Sequence, residues 1–249
     1  MCLIVFAWQA HPDYRLIVAA NRDEYHGRAA REAHWWPDAP DILAGRDLQA
    51  GGTWLAAGRN GRFATVTNYR ENQRPKAGLQ SRGEIATGFV AGSDAPLAFV
   101  SAFDGSRYAG VNVLAADAES LCYVSNRDDA PRALPPGIYG LSNASLDTPW
   151  SKLVRARAAL ADLVDSNAVN ATALFRLLGD RTPAPAGEIE SGDLPFALAR
   201  AISAPFIVSD DYGTRCSTVI EVDNDGMTRF RERRFAAGGE TTGESAFAF

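Results

Sequence analysis

Residues 1–24 read MCLIVFAWQAHPDYRLIVAANRDE, and the fold turns on this stretch. Residues 2–8 (CLIVFAW) and 15–20 (RLIVAA) are short continuous apolar runs. His11, Pro12 and Asp13 lie between them, so the stretch reads as two buried strands of a tight hairpin. The four polar residues Asn21-Arg22-Asp23-Glu24 follow the second run. Neither run approaches the roughly 20 apolar residues of a spanning helix. No Lys or Arg precedes the first run, as a secretion signal would require. The expectation is a cytoplasmic chain with no transmembrane segment.

The hairpin theme continues outward. Residues 53–57 and 62–68 flank Asn60-Gly61, two residues that tolerate positive φ. Residues 110–116 and 119–125 pair around Asp117. Residues 216–222 and 228–235 pair around 223–226, and Arg229, Arg231 and Arg233 share one face of the last strand, read as a solvated edge. Helical stretches cover 82–91, 96–103, 150–165, 171–178 and 194–201. In the longest, Leu153, Val154, Leu160, Leu163 and Val164 recur at helical spacing after Pro149. The Pro- and Gly-rich 182–195 reads as loop, and His34-Trp35-Trp36 as loop packing. The pattern is α+β, sheets with a helical layer apiece, in one domain over 1–249.

Composition narrows the function. The chain has 249 residues, 25 Lys and Arg against 30 Asp and Glu, and a net charge of −5. That balance argues against generic nucleic-acid binding. Apolar residues at 46% exclude a disordered chain or a disulfide scaffold. Three cysteines without CxxC fit reduced thiols, and three histidines limit metal or triad chemistry. GxSxG, HExxH, CxxCH, GxxxxGK[ST] and GxGxxG are all missing, so no metal and no required cofactor is read here.

The chemistry therefore falls to weaker constellations. Cys2 follows the initiator Met, and a small residue there allows Met1 to be removed. Cys2 would then carry a thiol and a free α-amine, a nucleophile with its own base. The plainer reading is a small apolar residue opening a strand. Asp23 can orient an amine, and Arg22 can bind an anion or lower a thiol pKa; a polar turn with a local ion pair is the alternative. Asn68 and Asn143 end strands and could donate to an oxyanion, or simply serve as turn residues. Arg215 enters a strand, either toward a buried anion or as an edge charge. Residues 59–82 hold Arg59, Arg62, Arg70, Arg74, Lys76 and Arg82 against one acid, Glu71, which reads as a basic mouth for an anionic ligand or as a solvated loop.

Six motifs stand in order: Met1-Cys2, Asn21-Arg22-Asp23-Glu24, Gly51-Gly52-Thr53-Trp54, Asn68-Tyr69-Arg70, Tyr139-Gly140-Leu141-Ser142-Asn143 and Thr214-Arg215-Cys216-Ser217-Thr218-Val219. Together they resemble the NRDE family, whose eukaryotic members are called transport and Golgi organisation proteins. The resemblance runs to about residue 235. It implies an N-terminal-nucleophile (Ntn) hydrolase fold, a four-layer αββα sandwich of two antiparallel sheets between helical layers. It is similar to the cysteine amidases that act on penicillin V and conjugated bile salts. By that resemblance Cys2 is the nucleophile and Asp23 its orienter. Asn68 and Asn143 are oxyanion or amine partners, and Arg215 is electrostatic support. Asn21, Arg22, Glu24, Trp54 and Arg70 form the ligand-binding set for a small anionic or amphipathic molecule. One departure is local: the amidases carry an Arg several residues before the Asp, whereas Arg22 is adjacent to Asp23. Neighbours on an extended chain point to opposite faces. The family is also associated with haem trafficking. As a carried ligand, haem would use Trp35, Trp36 and Trp54 as walls, the 59–82 cations for its propionates, and His11, His26, His34 or Cys2 as axial ligand.

Overall fold

The computed structural model describes residues 2–71, 77–127, 130–189 and 194–249. The strands are β1 (Cys2–Trp8), β2 (Tyr14–Tyr25), β3 (Ala30–Trp36), β4 (Ala39–Asp47), β5 (Leu55–Gly58), β6 (Phe63–Asn68) and β7 (Val111–Ala116). They continue with β8 (Leu121–Ser125), β9 (Arg132–Ala133), β10 (Gly137–Leu141), β11 (Tyr212–Asp223), β12 (Thr228–Phe235) and β13 (Thr241–Ala248). The helices are α1 (Gly83–Ala91), α2 (Pro96–Ser101), α3 (Ser151–Asp165), α4 (Ala171–Leu178) and α5 (Phe196–Ile202). No helix among the described residues is long and apolar enough to cross a membrane.

The chain forms two compact units. The first takes the residues up to Gly27, Pro136–Ser142 and Leu146–Phe249. It holds an antiparallel sheet in the order β10-β1-β2-β11-β12-β13. Leu3, Val5, Ala7, Ile17 and Ala19 project from one face and pack on Leu153 and Leu160 of α3 and Leu174 and Leu178 of α4. Each buried Leu, Val or Ile among them contributes about 1.5–3 kcal/mol by leaving water. At the start of α4, the Asn170 side chain accepts from the Ala173 amide and caps the helix.

Strand β2 is longer than the apolar pattern indicates. It runs through Asn21-Arg22-Asp23-Glu24 because β11 pairs with it from Tyr25↔Tyr212 to Tyr14↔Asp223. The polar quartet is therefore central strand and not a turn. The arginine strand β12 also differs from its reading, because β13 lies outside it and is the edge. Arg229, Arg231 and Arg233 do share a face, and each meets an acid: Asp223 at 3.2 Å, Glu221 at 2.6 Å and Glu244 at 2.6 Å.

The second unit comprises Arg28–Pro135 and Asn143–Ser145. Its antiparallel sheet runs β3-β4-β5-β6-β7-β8-β9. Helices α1 and α2 cover it through Ile85, Phe89, Val90 and Val100 against Ala56, Ala64, Val66 and Val113. Residues 34–36, read as loop, lie in β3, where irregular register between Arg31 and His34 and between Trp35 and Trp36 breaks the two-residue period. At Asn60-Gly61 only Gly61 has positive φ (74°). Asn60 closes the turn with its side chain instead, accepting from the Arg62 amide and donating to the Val90 carbonyl.

The Gly51-Gly52-Thr53 motif serves this packing. Gly51 sits at φ 78°. A Cβ on Gly52 would stand 2.5 Å from the Gly83 carbonyl carbon, and the Thr53 amide donates to the Gly83 oxygen at 3.1 Å. Backbone meets backbone here, so no side chain can swing aside. Gly88, exposed in α1, has nothing within 4 Å of its absent Cβ. Gly52→Ala should lower stability by at least ~1–3 kcal/mol, whereas Gly88→Ala should raise it by about 0.5–1 kcal/mol. Urea unfolding of both variants checks the contrast; equal effects would contradict it.

Candidate functional site

Cys2 opens β1 and is partly exposed. Its carbonyl accepts from the Ser142 hydroxyl at 2.7 Å, which ties the start of β1 to the segment after β10. Antiparallel register sets Cys2 directly opposite Arg22, and Arg22 opposite Cys216 on its other side. Paired residues share a face, so a guanidinium lies between two thiols in one cross-strand row.

Burial pushes the Cys2 thiol up, and the charge of Asp23 adds to the rise. The charge of the N-terminal amine, a hydrogen bond from the Asp23 backbone and the charge of Arg22 pull the other way. The adjacent pair thus both act on the sulfur, Asp23 in part through its main chain, which is independent of where its side chain points. The thiol is neutral near pH 7 and requires a base before it can attack. Cys216 is buried and raised well above its ordinary value, by burial first and then by the charge of Glu232.

Asp23 is buried at 2% exposure. The Thr214 hydroxyl donates to its Oδ1 at 2.7 Å and accepts from the Ile207 amide at 2.9 Å. The Tyr212 hydroxyl donates to its carbonyl at 2.8 Å. Burial raises the Asp23 carboxyl to about 6, against the positive charges of the N-terminal amine and Lys152, the Thr214 hydrogen bond and Arg22. Asn21 is fully buried: its Nδ2 donates to the Leu178 and Pro205 carbonyls, and its Oδ1 accepts from the Ser217 hydroxyl at 2.6 Å. Both of its N–H donors and one lone pair of its oxygen are engaged within the unit, so it clamps structure there. Glu24 stands 3.8 Å from Arg22 and accepts from the Tyr25 amide.

Arg215 occupies the irregularity between Thr214 and Cys216. Its Nη1 donates to the Tyr25 and His26 carbonyls, both at 2.9 Å, fastening the end of β2. The arginine lowering the Cys2 thiol is Arg22. Two residues of this site had no role from sequence. Thr214 was visible only as a motif letter. Lys152 is buried at 4%, yet in the sequence it occupies an ordinary surface position of an amphipathic helix.

The second unit holds the remaining candidates. The Asn143 Nδ2 donates to the Asn68 carbonyl at 2.8 Å, and the Asn143 carbonyl accepts from the Arg70 amide at 2.7 Å. Asn68, Arg70 and Asn143 therefore form one knot, with Asn143 buried and the Asn68 side exposed. Trp54 is half-buried, and its carbonyl accepts from the Val66 amide and the Thr65 hydroxyl. The basic stretch is partly structural. Arg62 is buried and donates to the Phe89 and Asp94 carbonyls, Arg59 stacks on Trp35 at 3.7 Å, and Arg82 donates to the Gly110 carbonyl. Arg74 and Lys76 lie outside the described residues. Each histidine ring has a hydrogen-bond partner: the Asp13 amide for His11, the Ser209 carbonyl for His26, the Glu32 carbonyl for His34.

The structure is similar to that of the C2A mutant of conjugated bile acid hydrolase from Clostridium perfringens (TM-score 0.55, 7% identity, covering 99% of this chain and 92% of that one). It also matches the N-acylethanolamine-hydrolyzing acid amidase ortholog of Caenorhabditis elegans (TM-score 0.52, 12% identity, covering 88% and 92%). Two antiparallel sheets with their helices thus define a protein of Ntn-hydrolase fold. Residues 1–237 match the Transport and Golgi organisation 2 family model. The Transport and Golgi organization protein 2 homolog of Bos taurus is 35% identical, over 98% of this chain and 97% of its own. The Homo sapiens homolog is 36% identical, over 94% and 92%. The chain belongs to the Transport and Golgi organisation 2 family.

An acid whose carboxyl rises from 3.8 to about 6 on folding holds its proton more tightly in the native state. Stability therefore falls as pH climbs through that window and levels off above it, by up to about 3 kcal/mol. Asp23→Asn should flatten this part of the profile. Thermal unfolding from pH 4 to 8 checks it; an unchanged slope in the variant would contradict the assignment.

Proposed function

We propose that the chain hydrolyses a small linear amide or thioester at Cys2 once Met1 has been removed. The observation that carries this reading is the setting of Cys2: a partly exposed residue at the start of β1, its thiol pushed up by burial, opposite Arg22 in register and near the buried Asp23 carboxyl. Such a thiol needs a base, and the Cys2 α-amine, with an ordinary pKa of about 7.7–8.0, would be one on the same residue. The amine takes the thiol proton as sulfur bonds to the substrate carbonyl carbon. The resulting ammonium returns the proton to the departing amine or thiol. Water, deprotonated by the same amine, then releases the acid from sulfur. Asp23 holds the amine, and Arg22 offsets the charge of the thiolate. The oxyanion role of Asn68 and Asn143 rests on the family resemblance.

The similar solved structures support the class of chemistry through the fold alone, and the C2A variant marks a cysteine at the second position of the bile acid hydrolase. Two readouts decide. Intact mass of protein purified from cells should show Met1 lost and Cys2 alkylated by iodoacetamide. A panel of acyl amides and acyl thioesters should contain a substrate whose turnover drops at least ~10³-fold in Cys2→Ala. Haem titration runs beside it. Saturable haem binding that survives Cys2→Ala, with no turnover of any acyl compound, would replace the hydrolase with a haem or lipid-like ligand carrier. Retained Met1 would remove the amine as base.

A further inference from the structure

Helix α3 places a lysine second, and this lysine is inside. Lys152 is 4% exposed, and its Nζ donates to the Ile202 carbonyl at 3.3 Å. A buried ammonium is costly unless a counter-charge accompanies it. Asp23 is a buried carboxylate on the same side of the sheet. Asn21, two residues earlier in β2, reaches the Leu178 and Pro205 carbonyls on the helical side, and the two-residue period sends Asp23 to that side too. One segment, 202–207, joins the two charges. Its Ile202 carbonyl receives Lys152, its Pro205 carbonyl receives Asn21, and its Ile207 amide fixes Thr214, which donates to Asp23. The N-terminal amine, Cys2 from β1, Arg22 beside it in β2, and Tyr212 from β11 are the other titratable or charged groups about Asp23. Lys152 comes from the helical layer.

We propose that Lys152 is a positioning residue that acts through Asp23, its buried ammonium serving as counter-charge for the carboxylate that would hold the α-amine of Cys2. The role at Cys2 rests on the hydrolase reading; the pairing of Lys152 with Asp23 does not. Lys152→Met keeps the length of the side chain and removes the charge. Asp23 then keeps its proton to higher pH, and its grip on the amine weakens near neutrality.

The test is a cycle of wild type, Lys152→Met, Asp23→Asn and the double variant, unfolded at pH 8. Lys152→Met should lower the folding equilibrium at least ~10-fold less in the Asp23→Asn background than in wild type. In Lys152→Met the pH window of declining stability should also extend upward by about one unit or more. Equal cost in both backgrounds, or an unmoved window, would overturn the pairing. Should Lys152→Met not fold, a folded double variant supports the pairing and an unfolded one overturns it. On the substrate found by the panel, Lys152→Met should lose about 10-fold in kcat at pH 7 with KM unchanged, and recover by pH 9. Lys152→Arg should keep its neutral-pH kcat. A loss equal at every pH overturns the positioning role. Coupling in the cycle with no turnover in any variant sinks the hydrolase reading and leaves the ion pair standing.

Discussion

Everything at the site depends on β2 being hydrogen-bonded along both edges. Its pairing with β1 fixes Cys2 opposite Arg22, and its pairing with β11 fixes Asp23 opposite Thr214. A slip of one residue in either ladder would turn every side chain to the other face and scatter the cluster. The polar quartet is tolerated in a central strand because its members find partners there: Asn21 two carbonyls and a hydroxyl, Asp23 Oδ1 the Thr214 hydroxyl, Arg22 the Glu24 carboxylate. Without such partners, a buried Asn and a buried Asp in one strand would cost more than the strand gains.

That arrangement sets protonation. Burial acts in the same direction on thiol and carboxyl, pushing both toward their neutral forms. At Asp23 the charges that oppose burial are the N-terminal amine first, then Lys152 and Arg22. A thiol held neutral next to a carboxylate near its own titration point suits a centre switched on by a base that arrives with chain processing. The chain, a member of the Transport and Golgi organisation 2 family, carries this cluster on a fold of the Ntn-hydrolase class.

Much of the fold was legible in the sequence. The first hairpin, the strands ending at Asn68 and Ser125, and helices α3 and α4 follow from apolar period and turn residues. What escaped did so for physical reasons. β3 has irregular register and charged residues, and β13 is an edge strand of small and polar residues, so neither carries a clean alternation. Asn21-Arg22-Asp23-Glu24 left a turn open as the alternative because polarity is a local signal, whereas part of its strand pairing comes from β11, some 190 residues away. At the site, Cys2 and Asp23 were readable through their motifs. Lys152 was not, because only the packing of α3 and the segment after α5 brings it inside.

The central claim is that Cys2 is activated by its own α-amine. The most direct measurement is the rate of Cys2 carbamidomethylation against pH, followed by peptide mass, in processed protein and in protein that retains Met1. The account predicts a midpoint near the amine range, about 8, in the processed form. It predicts a midpoint above the ordinary thiol value of 9.0 when Met1 remains. Identical profiles in the two forms would contradict it.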